Sequence, residues 1–354
     1  MMKQDAVKSK NKHILKKIIF GTIAVSILTV AITGVTLYIK ITSPAFKTDE
    51  VSELYIDDRK DYEIVLNQLK MQSQIKDIRL FGQLASFMKY PQNIKTGKYE
   101  INPELNYIEL VRMLRNGNQT PIKFTFNNIR IKKDFAERAG SQFMFGQEIL
   151  LSKLNDPEIC QSLGFNTTTI MSMFIPNTYE IYWTISVTLF LERMEKEYER
   201  FWTSERLRKA RELSLSPVEV SILASIVEEE TAALSEYPIV AGLYINRLRK
   251  GWPLQADPTV KFAIGDFEIR RFLYAHLEID SPYNTYKNSG LPPGPIRIPS
   301  IAGIDAVLNY TRHNYMFMVA KEDFSGQHNF SVTLSEHNRN ASKYHEALNR
   351  NNIR

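Results

Sequence analysis

At 354 residues the chain is longer than one usual domain and shorter than three, and 44% hydrophobic residues with only 15 Gly and 15 Pro exclude disorder and low-complexity architecture. One cysteine, Cys160, excludes a disulfide framework and a Cys-based zinc finger. The net charge of +6 sits at the start: residues 1–17 carry Lys3, Lys8, Lys10, Lys12, Lys16 and Lys17 against Asp5, and the rest holds 39 basic and 38 acidic residues. A nucleic-acid binder would carry that excess on its folded surface, so this class is excluded too.

From Ile18 to Ile39 run 22 residues without a charge, bounded by Lys16-Lys17 and Lys40. At about 1.5 Å per residue a helix of this length covers roughly 30 Å of hydrocarbon. The basic tail in front predicts a cytoplasmic N-terminus and places residues 40–354 outside the cytoplasm, on a single-pass anchor in the cytoplasmic membrane. A cleaved signal peptide is the competing reading, with small residues at Thr33-Gly34-Val35. The apolar run is longer than a signal peptide's usual ~7–15 residue core, which favours the anchor.

Beyond the anchor, Glu53 to Ile56 reads as a strand, Asp61 to Leu69 and Ile78 to Met88 as helices, and Thr96 to Ile101 as a turn into a strand. A helix through Leu105, Leu110 and Leu114 stops at Asn116-Gly117. With its linker from residue 40, this forms a small α+β module ending near residue 120. Residues 121–354 are then the larger mixed α+β part. It opens on a strand over Ile122 to Phe126 and a helix over Phe135 to Phe143, and one amphipathic helical stretch runs from Val187 to Leu213.

Ser216-Pro217-Val218-Glu219 is a capping box with Pro at the first helical position. The helix it starts shows an apolar face of Val220, Ile222, Leu223, Ile226 and Val227, and then reaches Glu228, Glu229 and Glu230. At about 100° per residue Glu230 lies near the middle of that face, Glu229 on its flank, and Glu228 nearly opposite, above Ser221, Ala224 and Ser225. A carboxyl held among apolar side chains keeps its proton more readily, as a general acid near neutral pH must. A solvated acidic helix end would present the same three residues, so the run alone leaves the choice open. Further on, Ala241 to Arg249 is a short helix, Leu254 to Val260 a polar loop, and Ser281 to Tyr286 and Gly290 to Ile296 are turn-rich. Amides and hydroxyls beside aromatic faces suit a sugar, although Pro and Gly also serve as plain connectors.

In order and spacing, Ala224 to Thr231, Ile245 to Leu248, Leu254 to Val260, Tyr283 to Tyr286, Gly290 to Ile296, His328-Asn329-Phe330 and His337-Asn338 resemble the endolytic murein transglycosylases of the YceG-like (MltG) family. The stretch from Gly97-Lys98-Tyr99 to Gly117 resembles that family's LysM-like subdomain, and Phe174 to Tyr179 its lead-in to the catalytic part. Glu229 stands where a Lys is common and Asn177 where an Asp is common. The resemblance implies a transglycosylase catalytic domain over 121–354 acting on peptidoglycan glycan strands. It implies Glu230 as the single acid and base, no metal or organic cofactor, and membrane peptidoglycan synthases as candidate partners.

Asn246, Gln255, Asp257, Thr259, Tyr283, Asn284 and Tyr286 are the candidates for binding sugar or orienting Glu230, and Glu228 is both an orienting candidate and the main competitor for the catalytic role. His328 and His337 are read as hydrogen-bonded structural residues rather than metal ligands. Two alternatives stay open: a lysozyme-like hydrolase with Asp257 as second carboxylate, and a non-enzymatic wall-binding protein that uses the LysM-like unit.

Overall fold

A computed structural model describes residues 2–269 and 274–351, which form a mixed α+β fold of two compact units. The first comprises residues 1–121 with 182–184, the second 122–181 with 185–354.

In the first unit, helix α1 (Met2–Thr42) is longer at both ends than the uncharged run. Leu15–Thr42 is long and apolar enough to cross a membrane, and none of it is buried within the protein. Its threonines turn their hydroxyls inward: Thr22, Thr29, Thr33 and Thr36 donate to the carbonyls of Ile19, Val25, Thr29 and Thr33 at 2.8–2.9 Å. Strand β1 (Ser52–Ile56), helices α2 (Tyr62–Met71) and α3 (Ile78–Phe87), and strand β2 (Gly97–Ile101) follow, with β1 and β2 antiparallel from Ser52 opposite Ile101 to Ile56 opposite Gly97. Leu54, Leu69, Phe81 and Tyr99 fill the layer between sheet and helices. Helix α4 (Tyr107–Asn116) starts on a reciprocal Asn106–Glu109 capping box and stops where Gly117 takes φ +75°, a left-handed turn that glycine adopts without steric cost.

The second unit has two cores. Strands β3 (Ile122–Thr125) and β4 (Thr178–Ile181) pair antiparallel, and helices α5 (Lys132–Gly140), α6 (Gly146–Leu154), α7 (Pro157–Ser162) and α8 (Val187–Phe201) join them around Phe124, Phe126, Phe135, Phe174 and Phe190. The helix expected over Val187 to Leu213 is broken: Trp202 leaves helical geometry at ψ 68°, and the Thr203 hydroxyl caps α9 (Ser204–Glu212). The second core, aliphatic, surrounds α10 (Pro217–Glu230), whose Ser216–Glu219 capping box is present with both bonds made.

The single apolar face read for α10 does not survive. Every residue from Val220 to Glu228 is buried, because helices α11 (Tyr237–Arg249), α12 (Asp257–Ile264) and α14 (Ile301–Leu308) pack around it. The small polar side is compatible with burial since its hydroxyls bond to backbone. Ser221 donates to the Pro217 carbonyl at 3.1 Å, while Ser225 donates to the Ile222 carbonyl at 2.7 Å and accepts from the Ile296 N–H at 3.1 Å. The short helix α13 (Tyr274–Leu277) lies between α12 and α14 in sequence. A hairpin of β5 (Phe317–Ala320) and β6 (His328–Ser331) then leads into α15 (Leu334–Arg350), which packs on it.

Candidate active site

Glu230 is the last residue of α10, where the helix ends and Thr231 turns extended at φ −143° and ψ 140°. Its half-buried carboxyl opens into a cleft of about 220 Å³ lined also by Tyr244 and Arg247 of α11, Gln255, Asp257, Tyr286, Met318 to Ala320 of β5, and His328 of β6. The Tyr244 hydroxyl donates to Glu230 Oε1 at 2.6 Å. Burial pushes the Glu230 pKa up to about 7; the Tyr244 bond pulls it down, and the negative charge of Asp257 pushes it further up. The group is therefore split between acid and carboxylate near neutral pH, which lets it deliver a proton and then receive one.

Around it, buried Arg247 donates from Nε to the Met316 carbonyl at 2.8 Å and from Nη1 to the Leu254 carbonyl at 2.5 Å, and so ties α11 to the hairpin and to the 254–256 loop. Gln255 enters the cleft from a left-handed backbone, φ 49°, and its N–H donates to the Thr285 carbonyl at 3.0 Å. For a residue with a Cβ that conformation is strained and persists because its surroundings impose it. Asp257 begins α12 rather than sitting in a loop, and its Oδ1 accepts from the Tyr286 hydroxyl at 2.6 Å. Tyr244 and Tyr286 keep their protons well beyond neutral pH, both through burial and through the carboxylates they bond.

Three of the eight binding or orienting candidates, Gln255, Asp257 and Tyr286, reach this cleft; the other five do not. Glu228 is buried on the far side of α10, where its Oε1 accepts from the Ser300 N–H at 2.7 Å and from the Ser300 hydroxyl, with Arg297 Nε 3.4 Å from its Oε2. It fastens α10 to the start of α14. Asn246 donates from its amide to the carbonyls of His313 at 2.8 Å and Tyr315 at 3.1 Å and faces a separate pocket. Thr259 and Thr285 are fully buried and share a hydroxyl bond of 2.8 Å. Asn284 is fully buried and holds the carbonyls of Leu277 and Ile279. Tyr283 packs its ring on Phe262, 4.8 Å between centroids.

Glu229 lies between two guanidiniums, Arg130 and Arg297, each 2.9 Å away. Tyr244, Arg247 and His328 are polar residues of the cleft that sequence reasoning did not single out as site candidates. Tyr244 lay just before the Ile245-Asn246-Arg247-Leu248 motif, and His328 lay inside a motif but was read as structural. His337 does not have the bonding expected of it: its ring stacks on Phe317 at 5.4 Å and its Nδ1 is buried without a hydrogen bond. Among the described residues, no group of three or more His, Cys, Asp or Glu side chains is placed to hold a metal ion.

The Glu230 carboxyl, at the acid–carboxylate balance point in a polar cleft at the end of a buried helix, is equipped to deliver and to receive a proton. The profile of the YceG-like family matches residues 54–343, and the chain belongs to that family. The chain is 43% identical to an endolytic murein transglycosylase of Bacillus subtilis (strain 168) over 127 residues, 36% of this chain and 34% of the relative. It is 24% identical to an endolytic murein transglycosylase of Streptococcus pneumoniae (strain D39) over 76% of this chain and 54% of the relative. The matches thus span about a third and about half of these relatives' lengths. The crystal structure of a yceG-like protein of Listeria monocytogenes superposes with a TM-score of 0.56 at 26% identity, covering 82% of this chain and 99% of that one.

Proposed function

We propose that the protein is a membrane-anchored lytic transglycosylase that cuts peptidoglycan glycan strands between N-acetylmuramic acid and N-acetylglucosamine. The observation that carries this is the Glu230 carboxyl, raised to about 7 by burial and open to the cleft. As an acid it protonates the glycosidic oxygen. As a carboxylate it takes the proton of the muramyl C6 hydroxyl, which attacks the anomeric carbon and closes a 1,6-anhydro ring. The nucleophile belongs to the substrate, and an aligned internal hydroxyl competes with water at effective molarities of ~10⁵ M or more.

In this reading residues 121–354 are the catalytic domain. The β-α-α-β order of residues 52–101 suits a LysM-like unit that holds the same polymer. With α1 in the cytoplasmic membrane and its N-terminus inside, the catalytic domain meets strands outside the cytoplasm, where synthases of that membrane are its natural partners. The chemistry calls on no metal or organic cofactor.

A lysozyme-like hydrolysis is favoured by one observation, the presence of Asp257 in the same cleft. Its Oδ1 is already bonded to Tyr286, which leaves it less free to activate water. Mass spectrometry of products from purified glycan strands separates the two readings. Anhydro-ended fragments are expected, and reducing ends that incorporate ¹⁸O from labelled water would refute transglycosylation. The pH profile follows from the same group: the rate depends on protonated Glu230, so kcat/KM should fall as pH rises through about 7. A profile flat from pH 6 to 9 would show that another group supplies the proton.

A further inference from the structure

His328 was read as structural, yet it lines the cleft that Glu230 opens into, and its ring is held from one side only. The His328 backbone N–H donates to Glu236 Oε1 at 2.7 Å, and its Nδ1 lies 2.8 Å from Glu236 Oε2. The same Oε2 accepts from the hydroxyl of Thr231, the residue after Glu230, at 2.9 Å. Burial pushes the Glu236 carboxyl up, but its bonds from His328 and Thr231 outweigh that and hold it below the usual carboxylate range. An ionised carboxylate can only accept, so His328 Nδ1 carries the proton of that contact and Nε2 is the ring nitrogen left towards the cleft. That Nε2 has no hydrogen-bond partner among the described residues.

A carboxylate that fixes the tautomer and orientation of an imidazole, with the second nitrogen turned to a cleft, is the arrangement proteins use to present an acceptor in a set direction. Among the cleft's other polar groups Tyr244 and Tyr286 each donate to a carboxylate and Arg247 gives two of its donors to carbonyls, while the Gln255 amide stands beside His328 as a further group able to meet a ligand. We propose that His328 is a substrate-contacting residue of the reaction set out above. Its Nε2 accepts a hydrogen bond from a hydroxyl or acetamido N–H of the amino sugar at the scissile bond. This holds that sugar so that its own C6 hydroxyl, rather than water, reaches the anomeric carbon. His328 thereby governs the ratio of anhydro to hydrolysed ends, and Glu230 still carries the proton. The inference rests on the transglycosylase reading.

Two substitutions separate a substrate contact from a structural staple. In His328→Asn the amide occupies the place of Nδ1, so the link to Glu236 is kept and the acceptor is lost. In His328→Gln the amide reaches the place of Nε2, so the acceptor is kept and the link is weakened. Full-length protein in detergent is incubated with purified glycan strands, and anhydro and reducing ends are counted by mass spectrometry beside the melting temperature. His328→Asn should melt like the wild type and lose roughly tenfold or more in the anhydro-to-reducing ratio, within what an ångström-scale misplacement can cost. His328→Gln should recover part of it. A wild-type ratio in His328→Asn overturns the inference. So does loss of turnover in both variants that tracks a lower melting temperature at an unchanged ratio. If the wild type itself releases no anhydro ends, the transglycosylase reading fails and this one with it, a result distinct from failure in the variants alone.

Discussion

Glu230→Gln is expected to cut the rate of glycan cleavage by a factor of 10² or more, the lower end of what a positioned general acid contributes. The amide keeps the shape and can still accept the Tyr244 hydroxyl, so the cleft should persist while the transferable proton is gone. Stability should move the other way. The folded pKa of Glu230 lies near 7, above its ordinary value of 4.5. The folded state therefore holds a proton that the unfolded chain releases between those values, and this group's contribution to stability falls as pH rises through that window. Gln escapes the loss, so at pH 8 the variant should melt no lower than the wild type. Near wild-type turnover in a folded Glu230→Gln protein would move the acid elsewhere in the cleft.

Glu228→Ala is expected to act on stability. Its side chain is 3% exposed and faces Arg297, 14% exposed, while Ser300 donates to it twice. Gly303 of α14 is so close that a Cβ there would stand 2.1 Å from Glu228 Oε1, so the helices meet through this carboxylate. Arg297 keeps Glu229 as its partner at 2.9 Å, so the cost is that of leaving the buried Ser300 N–H and hydroxyl without their acceptor, about 1–3 kcal/mol. For a unit of this size that lowers Tm by roughly 2–12 °C at 2–4 °C per kcal/mol. Differential scanning fluorimetry reads it directly. A Glu228→Ala protein that melts normally but cleaves nothing would restore Glu228 as the competitor for the catalytic role.

The three glutamates show what a sequence makes visible and what it conceals. The start of α10 is a local matter of Ser216, Pro217 and Glu219, and it was legible, as was the stop of α4 at Gly117. Periodicity aimed Glu230 along a single apolar face, and because α10 is buried all round that face does not exist, so its place at the cleft was not legible. The surroundings of Glu228 were not either, because Ser300 and Arg297 come from some 70 residues downstream and periodicity records only the helix itself. The same limit hid the two arginines on Glu229. Asn284 and Thr259 have the chemistry of sugar-binding residues, but Asn284 uses it on the carbonyls of Leu277 and Ile279 and Thr259 on the Ala256 carbonyl and the Thr285 hydroxyl. Short polar side chains near turns do this commonly. The difference between a ligand group and a loop fastener lies in burial, and burial is a property of the packed whole.

In the membrane-anchored reading proposed above, the threonines of α1 carry a consequence for how that helix would meet lipid. Interhelical hydrogen bonds are one of the forces that associate helices in hydrocarbon. Thr22, Thr29, Thr33 and Thr36 have each already closed theirs on a carbonyl three or four residues back. With their hydroxyls turned to the backbone, those four positions present methyl groups outward. On that reading these four positions add no free donor through which α1 could bond a neighbouring helix.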